Sequence, residues 1–348
     1  MKQVIEDIRI MSIKSLPSPR EVKELYRLDP EIYRAIAGYR ETVAKILSRE
    51  DNHFLVIIGP CSIHNSDEAI EYATRLKKLS DEVSDKIFIV MRAFFTKPRT
   101  TIGWKGMMYD PRLDGSCDIA EGVRLSRETA KRICEIGLPI GTEALDPFTV
   151  QYLSDAITWA GIGARTVESQ LHRELASGLS APVGFKNNTA GNVLIAIDAM
   201  ESAKHPHVFL GIGDDGHIAR VTTKGNPWTH IVLRGGGRNM TNYDPEHIQA
   251  TADMLNKRGL SSAIVVDCSH GNSGKDHVKQ ESVFMDVFKQ YKSRRSNVVG
   301  AMLESNLREG SQKIPADPRD LKYGISVTDS CMSLETTEEL ILKAFSIL

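Results

Sequence analysis

Phe54-Leu55-Val56-Ile57-Ile58-Gly59-Pro60-Cys61 is the first of eight short apolar runs that each lead to a residue able to take part in chemistry. The other seven runs lead to Arg92, Glu143, Arg165, Lys186, Arg234, His270 and Glu304. In a parallel sheet the ends of all strands lie on one face, so these residues can converge on a single site. Strands that repeatedly end in reactive residues are typical of a (β/α)8 barrel enzyme.

Stretches with apolar residues at helical spacing lie between most of these runs. They predict helices at about 66–83, 119–136, 149–160, 172–177, 192–203, 244–258 and 278–291. Strand and helix in alternation favour a parallel sheet with right-handed crossovers. We therefore predict an α/β protein whose fold is a (β/α)8 TIM barrel.

Two regions fall outside the simple barrel pattern. Residues 1–50 form an arm and a helix, the latter at 30–47, that precede a catalytic barrel over residues 51–348. Strand-like runs at 207–210 and 217–222 flank Gly211-Ile212-Gly213-Asp214-Asp215-Gly216. Those glycines match the dinucleotide-binding pattern, but that pattern must open a helix and the run after it alternates like a strand. We predict an inserted β-hairpin at about 205–223.

The composition excludes several classes of protein. A formal net charge of −1 over 348 residues does not fit a generally basic nucleic-acid-binding protein. The five scattered cysteines contain no C-x-x-C pair, which favours a reducing compartment without disulfides. Neither a signal peptide nor a membrane span is visible in the sequence, so we expect a cytoplasmic protein.

Two groups of cations indicate an anionic substrate. Arg165, Lys186 and Arg234 follow separate strands, and their side chains suit phosphate or carboxylate groups. A second group comprises Arg92 and Lys97-Pro98-Arg99-Thr100. The motif Gly103-Trp104-Lys105-Gly106 ends the same segment and favours a loop of defined conformation. The alternative is that each cation is solvated or paired at the surface.

A metal site is harder to recognise from spacing. Cys61, His270, Glu304 and Asp329 lie far apart in the sequence and form no zinc-finger pattern. The first three follow strands that become neighbours when a barrel closes, and such a mixed set of S, N and O ligands suits Mn, Fe, Co or Zn. The alternative for Cys61 is a small buried residue without a ligand.

Several motifs resemble those of one known family. They are Gly59-Pro60-Cys61-Ser62-Ile63-His64, Lys97-Pro98-Arg99-Thr100, Gly103-Trp104-Lys105-Gly106, Gly163-Ala164-Arg165-Thr166, Glu168-Ser169-Gln170, His172-Arg173-Glu174, Pro182-Val183-Gly184-Phe185-Lys186-Asn187, Leu233-Arg234-Gly235-Gly236 and Asp267 through Ser269-His270. Together they resemble the aromatic-regulated class I 3-deoxy-D-arabino-heptulosonate 7-phosphate (DAHP) synthases, over almost the whole chain. That resemblance implies a (β/α)8 barrel with an N-terminal extension and an inserted hairpin.

The resemblance also implies an activity and its residues. Members of the family are transferases that condense phosphoenolpyruvate with erythrose 4-phosphate in a metal-dependent, aldol-type reaction, the first step of the shikimate pathway to chorismate and the aromatic amino acids. It implies one divalent metal ion (Mn, Fe, Co or Zn) on Cys61, His270, Glu304 and Asp329. It implies phosphoenolpyruvate on Arg92, Lys97, Glu143, Arg165, Lys186 and Arg234, and erythrose 4-phosphate on Arg99 and Thr100. Lys97, Glu143 and Lys186 would be the catalytic residues.

Regulation is implied by the same resemblance. A homodimer or homotetramer is expected, with an aromatic amino acid bound between the arm and the hairpin of adjacent subunits, at Asp7, Ile10, Val150, Gln151, Leu175, Leu179, Ser180, Phe209, Gly211 and Val221. Ser180 favours phenylalanine or tyrosine as the effector. The alternative is that the apolar members form only a subunit interface.

The chain departs from the family pattern at a few positions, and three other functions stay open. Asn65, the stretch Asn188-Thr189-Ala190-Gly191 and the segment Ser330-Cys331-Met332-Ser333 all differ, and the last makes Asp329 less secure as a ligand. The sister synthase that uses arabinose 5-phosphate has a different loop at 97–100. A Schiff-base aldolase would use Lys186, with Arg165 and Arg234 lowering its pKa. A non-catalytic barrel would bind ligands without turnover.

Overall fold

The computed structural model describes residues 6–237 and 240–348, so the first five residues of the predicted arm lie outside the described residues. Its central feature is a closed ring of eight parallel strands. These are β1 (Phe54–Gly59), β2 (Ile87–Arg92), β3 (Ile140–Glu143), β4 (Ile157–Ile162), β5 (Val183–Lys186), β8 (Thr229–Leu233), β9 (Ile264–Asp267) and β10 (Val298–Asn306). They pair in chain order, and β10 pairs with β1 to close the ring. The predicted TIM barrel is confirmed.

The strands are apolar because both of their faces are buried. Side chains that point into the barrel, such as Leu55, Trp159 and Val232, form one core cluster together with residues of α2 (Pro30–Ser48). Arg40 of that helix donates hydrogen bonds to the carbonyls of Ser154 and Ile157, beside the start of β4. The helix of the N-terminal extension therefore closes the amino-terminal end of the barrel, and the carboxyl end is left for the site.

The helices lie mainly in the connections between strands. They are α1 (Pro19–Leu25), α2, α3 (Ser66–Glu82), α4 (Ile119–Ile136), α5 (Gln170–Gly178), α6 (Leu194–Lys204), α7 (Pro245–Lys257), α8 (Lys279–Lys292) and α9 (Leu334–Ser346). Within the described ranges, no helix is both long and apolar enough to cross a membrane. The connections after β3 and β10 contain only short helical turns, Thr149–Tyr152 and Pro318–Asp320.

One predicted helix is wrong. Residues 149–160 do not form a helix, because only the turn Thr149–Tyr152 is helical and Ile157–Ile162 is strand β4. All six residues of β4 are buried. A strand buried on both faces lacks the alternation that distinguishes strands from helices, so its apolar residues also fitted a helical spacing.

The predicted hairpin is present. It comprises β6 (Val208–Ile212) and β7 (Ile218–Thr222), which pair in antiparallel fashion outside the barrel. Its turn contacts the N-terminal extension, where Lys23 Nζ lies 2.7 Å from Asp214 Oδ1 and the backbone N–H of Arg20 donates to the Asp214 carbonyl. A further short strand, β11 (Met332–Ser333), pairs with the end of β10.

Candidate active site

A cavity of about 250 Å³ opens at the carboxyl end of the barrel. Its lining includes every metal, substrate and catalytic residue predicted from the sequence except Cys61: Arg92, Lys97, Arg99, Thr100, Glu143, Arg165, Lys186, Arg234, His270, Glu304 and Asp329. Cys61 lies directly behind Lys97, whose Nζ donates a 2.7 Å hydrogen bond to its Sγ. Barrel closure thus brings together residues that are up to 268 positions apart in the sequence.

Three of the four predicted metal ligands form a compact group. The Cys61 sulfur and carboxylate oxygens of Glu304 and Asp329 all lie within 4.8 Å of one another, and the Cys61 Sγ to Asp329 Oδ2 distance is 3.7 Å. His270 lies at the edge of this group, with its Nε2 3.9 Å from Glu304 Oε1. One sulfur, one imidazole nitrogen and two carboxylates are a donor set that fits a divalent first-row ion.

Asp267 connects the metal group to the substrate side of the cavity. Its Oδ2 lies 2.9 Å from His270 Nδ1 and accepts a 2.7 Å hydrogen bond from Lys186 Nζ. Burial opposes the charge of Asp267, but the nearby His270 and Lys186 hold its pKa well below the ordinary value. The Asp267 carboxylate is at ion-pair distance from His270 Nδ1, but Nδ1 has no hydrogen-bond partner among the described residues. The other ring nitrogen, Nε2, faces Glu304.

The thiol of Cys61 is protonated at neutral pH in the chain alone. Burial, together with the charges of Glu304 and Asp329, raises its pKa to about 11 despite the nearby Lys97 ammonium. For Lys97, burial acts against the charge, but Cys61, Glu304 and Asp329 outweigh it and raise the pKa above its usual value. Thiols that bind a metal ion lose their proton, so binding of a cation here would release one.

Arg92 is buried at the floor of the cavity. Its Nη2 lies 3.0 Å from Glu304 Oε1, and its guanidinium covers the Phe94 ring at 4.0 Å from the centroid. Burial alone would raise the pKa of Glu304, but His270, Arg92 and Lys97 lower it to about 2. Glu304 is therefore a carboxylate at any physiological pH, which is the state a metal ligand requires.

Three buried polar atoms on residues that line the cavity have no hydrogen-bond partner among the described residues: Glu143 Oε1, Arg92 Nε and His270 Nδ1. Buried polar atoms in proteins are nearly always paired, so these atoms indicate groups supplied by a ligand or by water. Gly163 leaves the space for Glu143, because a Cβ at this position would lie 2.1 Å from Glu143 Oε1.

A second lobe of about 430 Å³ adjoins the cavity and shares Thr100, Arg165 and Arg234 with it. The Nε of Arg165 donates a 3.1 Å hydrogen bond to Thr100 Oγ1, which joins the two predicted substrate regions. Lys275 lines both lobes as well. Its φ of 64° is left-handed, a conformation that is uncommon in residues other than glycine and concentrates at functional sites.

The local charge contrasts with that of the whole chain. Seven Arg and Lys side chains line the first cavity against three Glu and Asp side chains, although the formal net charge of the protein is −1. A concave site with an excess of one charge attracts ligands of the opposite charge and raises their rate of association. The cavity is therefore built for a substrate with several negative charges.

The predicted regulatory residues occupy three separate places. Asp7 and Ile10 are exposed in the arm and form a turn, in which the Ile10 N–H donates to the Asp7 carbonyl. Phe209, Gly211 and Val221 lie in the hairpin, where Phe209 pairs with Val221. The others follow β3 or surround the end of α5: Val150, Gln151, Leu175, Leu179 and Ser180. The hairpin and α5 meet through a 2.7 Å hydrogen bond between Ser177 and Thr223.

Sequence reasoning missed two residues of the site. Asp267 belongs to a motif that the sequence had singled out, but its contact with Lys186 spans 81 positions and no local pattern reveals it. Lys275 follows His270 in an irregular connection, and its backbone N–H donates to the His270 carbonyl. Lys275 could have been predicted from its position, because it is a cation five residues after His270 at the end of a strand.

Comparison with known proteins gives a consistent result. The family model described as the DAHP synthetase I family matches residues 32–342. The Tyr-sensitive phospho-2-dehydro-3-deoxyheptonate aldolase of Escherichia coli K12 is 44% identical over 340 residues, which cover 98% of this chain and 95% of that protein. The Phe-sensitive enzyme of the same strain is 46% identical over 336 residues, which cover 97% of this chain and 95% of that enzyme.

Solved structures agree with this comparison. The phospho-2-dehydro-3-deoxyheptonate aldolase of Francisella tularensis SCHU S4 superimposes with a TM-score of 0.93 at 44% identity, covering 97% of this chain and 99% of that one. The enzyme of the same name from Thermotoga maritima has a TM-score of 0.56 at 19% identity, covering 85% and 70%. The second likeness shows a shared fold.

Proposed function

Because the chain belongs to the DAHP synthetase I family, we propose that its barrel condenses phosphoenolpyruvate with erythrose 4-phosphate to form DAHP and inorganic phosphate. This reaction makes it a 3-deoxy-7-phosphoheptulonate synthase of aromatic amino acid biosynthesis. Curated relatives at 44–46% identity carry the corresponding name, and that name favours the heptulosonate product over the product of the sister synthase that uses arabinose 5-phosphate.

One observation carries the proposal. A single cavity is lined by seven Arg and Lys side chains, by three of the four potential metal ligands and by a carboxylate with an unpartnered oxygen. Few reactions need all three together. An aldol-type condensation of two phosphorylated substrates is one of them, because both anions must be held side by side while a carbonyl is activated.

Each substrate has a distinct set of residues. Phosphoenolpyruvate binds at Arg92, Lys186, Arg165 and Arg234, with Lys97 and Glu143 beside its reacting carbons. The phosphate of erythrose 4-phosphate binds at Arg99 and Thr100, and Lys275 adds a cation where the two lobes meet. The Arg165–Thr100 hydrogen bond joins the two sets. This contact supports the placement of the two substrates side by side.

Cys61, His270, Glu304 and Asp329 would hold one divalent metal ion, and we propose Mn, Fe, Co or Zn. The residues fit such an ion, because the donors are mixed, Glu304 is ionised in its buried position, and His270 Nε2 faces Glu304. A metal bound there supplies Lewis acidity toward the aldehyde oxygen of erythrose 4-phosphate.

The chain's own residues account for the remaining steps. The cations hold the enol phosphate so that the electron pair of its C2–C3 double bond forms the bond from C3 to the aldehyde carbon, and the aldehyde oxygen takes up a proton to become a hydroxyl. Water then adds at C2, and Glu143 takes one proton of that water with its unpartnered oxygen, which balances the proton gained by the aldehyde oxygen. The C2 hydroxyl gives up its remaining proton to the departing phosphate as the bond from C2 to the phosphate oxygen breaks, which leaves a ketone at C2 and inorganic phosphate. Lys97, 2.7 Å from Cys61 Sγ, keeps a positive charge beside both the substrate carboxylate and the thiolate.

The Schiff-base alternative has weak support. Lys186 Nζ is 2.7 Å from the buried carboxylate of Asp267, so the ammonium form of Lys186 has a partner. A nucleophilic lysine must instead lose its proton, which a buried anion opposes. Lys186 is better suited to bind the phosphate or carboxylate of phosphoenolpyruvate.

Regulation and assembly form the second part of the proposal. Residues 1–50 serve oligomerisation and feedback inhibition, and an aromatic amino acid binds between the arm and the hairpin of adjacent subunits of a homodimer or homotetramer. The arm exposes Ile8, Met11 and Ile13, and the hairpin exposes Leu210 and Ile218. Apolar surface of this extent supports a subunit interface. We also propose that the protein works in the cytoplasm and has neither a nucleic-acid nor a membrane partner.

Phosphate release from phosphoenolpyruvate by the purified protein tests the proposal. The assay offers erythrose 4-phosphate or arabinose 5-phosphate, each with Mn²⁺ or with excess EDTA. We expect metal-dependent release with erythrose 4-phosphate, and inhibition by phenylalanine, tyrosine or tryptophan. Release with arabinose 5-phosphate alone would assign the sister activity, and product trapped by borohydride in EDTA would support the Schiff base. No release with either sugar would leave a non-catalytic barrel.

A further inference from the structure

Asp329 is held differently from the other proposed metal ligands. Cys61 and His270 follow β1 and β9, and Glu304 lies within β10, so the barrel itself fixes their backbones. Asp329 instead lies in the long connection between β10 and β11, and its side chain is 40% exposed whereas that of Glu304 is fully buried. Its carboxylate lies 3.7 Å from Cys61 Sγ and 3.9 Å from Lys97 Nζ, and the position of its backbone depends on contacts made by its neighbours in the chain.

Those neighbours are anchored on both sides. Before Asp329, the Thr328 hydroxyl lies 2.7 Å from the hydroxyl of Ser62, next to Cys61. After it, the Ser330 hydroxyl lies 2.9 Å from His277 Nδ1, and Cys331 exchanges backbone hydrogen bonds with Gly310. The Ser330–His277 contact joins the Asp329 segment to the connection between β9 and α8, which also carries His270.

His277 is itself on a well-supported part of the chain. It lies two residues before the start of α8, and its carbonyl accepts a hydrogen bond from the backbone N–H of Gln280 in the first turn of that helix. The buried Gln280 amide in turn binds both the N–H and the carbonyl of Glu304, at 2.8 and 3.0 Å. The start of α8 is therefore fixed relative to one proposed ligand and contacts the neighbour of another.

We propose that His277 is a positioning residue of the metal centre, which fixes the Asp329 carboxylate by holding the hydroxyl of Ser330. This inference rests on the proposed function, because it assumes that Asp329 is a ligand. Ser330 opens the segment in which this chain departs from the family pattern, so the family resemblance assigns no role to this contact. Residues that orient a ligand without touching the metal change metal affinity by about 10- to 100-fold when they are replaced.

Metal affinity of the full-length protein tests the inference. The protein is stripped with EDTA and titrated with Zn²⁺ against a chromogenic chelator, without substrates. His277→Gln and Ser330→Ala remove the contact, and we expect each to weaken binding by about tenfold or more. His277→Asn places an amide where Nδ1 lies, and Ser330→Thr keeps the hydroxyl. We expect both conservative variants to bind within about threefold of the parent.

Further variants and measurements separate positioning from a general structural effect. The double variant H277Q/S330A should bind no more weakly than either single variant, because both changes break the same hydrogen bond. Glu309→Gln alters the other neighbour of the His277 ring, 3.9 Å from its Nε2, and should leave metal affinity unchanged. The visible spectrum of bound Co²⁺ should shift in H277Q and S330A, and their urea midpoints in EDTA should match the parent.

The outcomes distinguish this inference from the proposed metal centre. If Cys61→Ala abolishes binding while H277Q and S330A bind as the parent does, the positioning role is wrong and the metal centre stands. If the parent binds no metal, or C61A binds as tightly as the parent, the metal centre is wrong and the inference is overturned with it. Equal weakening by His277→Asn and His277→Gln would also contradict a role through Ser330.

Discussion

Replacement of Asp267 by Asn tests the link between the metal group and the substrate cations. Asp267 is fully buried and its Oδ2 lies 2.7 Å from Lys186 Nζ and 2.9 Å from His270 Nδ1. Removal of one partner from a buried ion pair costs about 3–5 kcal/mol, because the other charge is left unpaired. Asn keeps one oxygen that can accept a hydrogen bond from Lys186. We therefore expect D267N to lower the free energy of unfolding by about 2–3 kcal/mol.

The expected loss in the free energy of unfolding corresponds to a measurable change in melting temperature. An unfolding entropy of about 2.1 cal/mol/K per residue gives roughly 0.7 kcal/mol/K for this chain, so the melting temperature should fall by roughly 3–4 °C. Equilibrium unfolding in urea measures the change in free energy and a thermal melt measures the change in melting temperature, both with EDTA present so that metal binding does not contribute. Asp198→Asn is the matched control, since Asp198 pairs with Arg258 at the surface. We expect this control to change stability by less than about 1 kcal/mol.

A second substitution separates charge from shape. Lys186→Met in the D267N background removes the unpaired ammonium, and stability should recover. The reasoning would be refuted if D267N were as stable as the parent. It would also be refuted if the double variant lost the sum of both single effects, because two groups of one buried pair should not act independently.

Three other predictions concern Glu143 as the proton-transfer residue, Lys275 in the second lobe of the cavity, and the buried Glu68. Glu143→Gln should lower kcat by about 10²-fold or more with metal affinity unchanged. Gly163→Ala should do the same, because its Cβ would lie 2.1 Å from Glu143 Oε1. Full activity in either variant would contradict the role of Glu143. Lys275→Met should raise the KM of a phosphorylated substrate about tenfold and leave kcat within a fewfold, and steady-state kinetics with unchanged KM values would remove Lys275 from the site. Burial raises the pKa of Glu68 to about 7, above its unfolded value of about 4.3, so its contribution to stability is complete below pH 4.3 and is lost as the pH rises through 7. The stability of Glu68→Gln relative to the parent should therefore increase as the pH rises from 5 to 8, by on the order of 2 kcal/mol in urea unfolding. A difference in stability between variant and parent that does not vary with pH would contradict this reasoning.

The sequence predicted the barrel well because the relevant signals are local. Each apolar run followed by a polar residue marks the end of a strand, and parallel strands present their ends on one face. The hairpin around Gly211–Gly216 was also predicted, since alternation in the run after the glycines excluded a helix. The helix at 149–160 was wrong for the opposite reason. Strand β4 is buried on both faces and leaves no alternation to read.

Pairings between distant residues were decided only by the tertiary structure. The sequence named Lys186 and His270 but could not show that Asp267 contacts both, since nothing in a local pattern specifies which strand ends become neighbours at a given depth. Lys275 was missed because its place in the cavity depends on a left-handed backbone in an irregular connection. The contact of His277 with Ser330 depends on how two long connections pack.

The sequence by itself therefore determined the barrel, its extension and the residue types at the mouth, while the tertiary structure decided their electrostatic states. The physical reason is that strand ends are specified by runs of a few residues, whereas a buried charge depends on every group around it. Glu304 is an example: its place after an apolar run was visible in the sequence, but its pKa of about 2 results from His270, Arg92 and Lys97, which outweigh the effect of burial. Only the closed barrel brings those three side chains to one carboxylate.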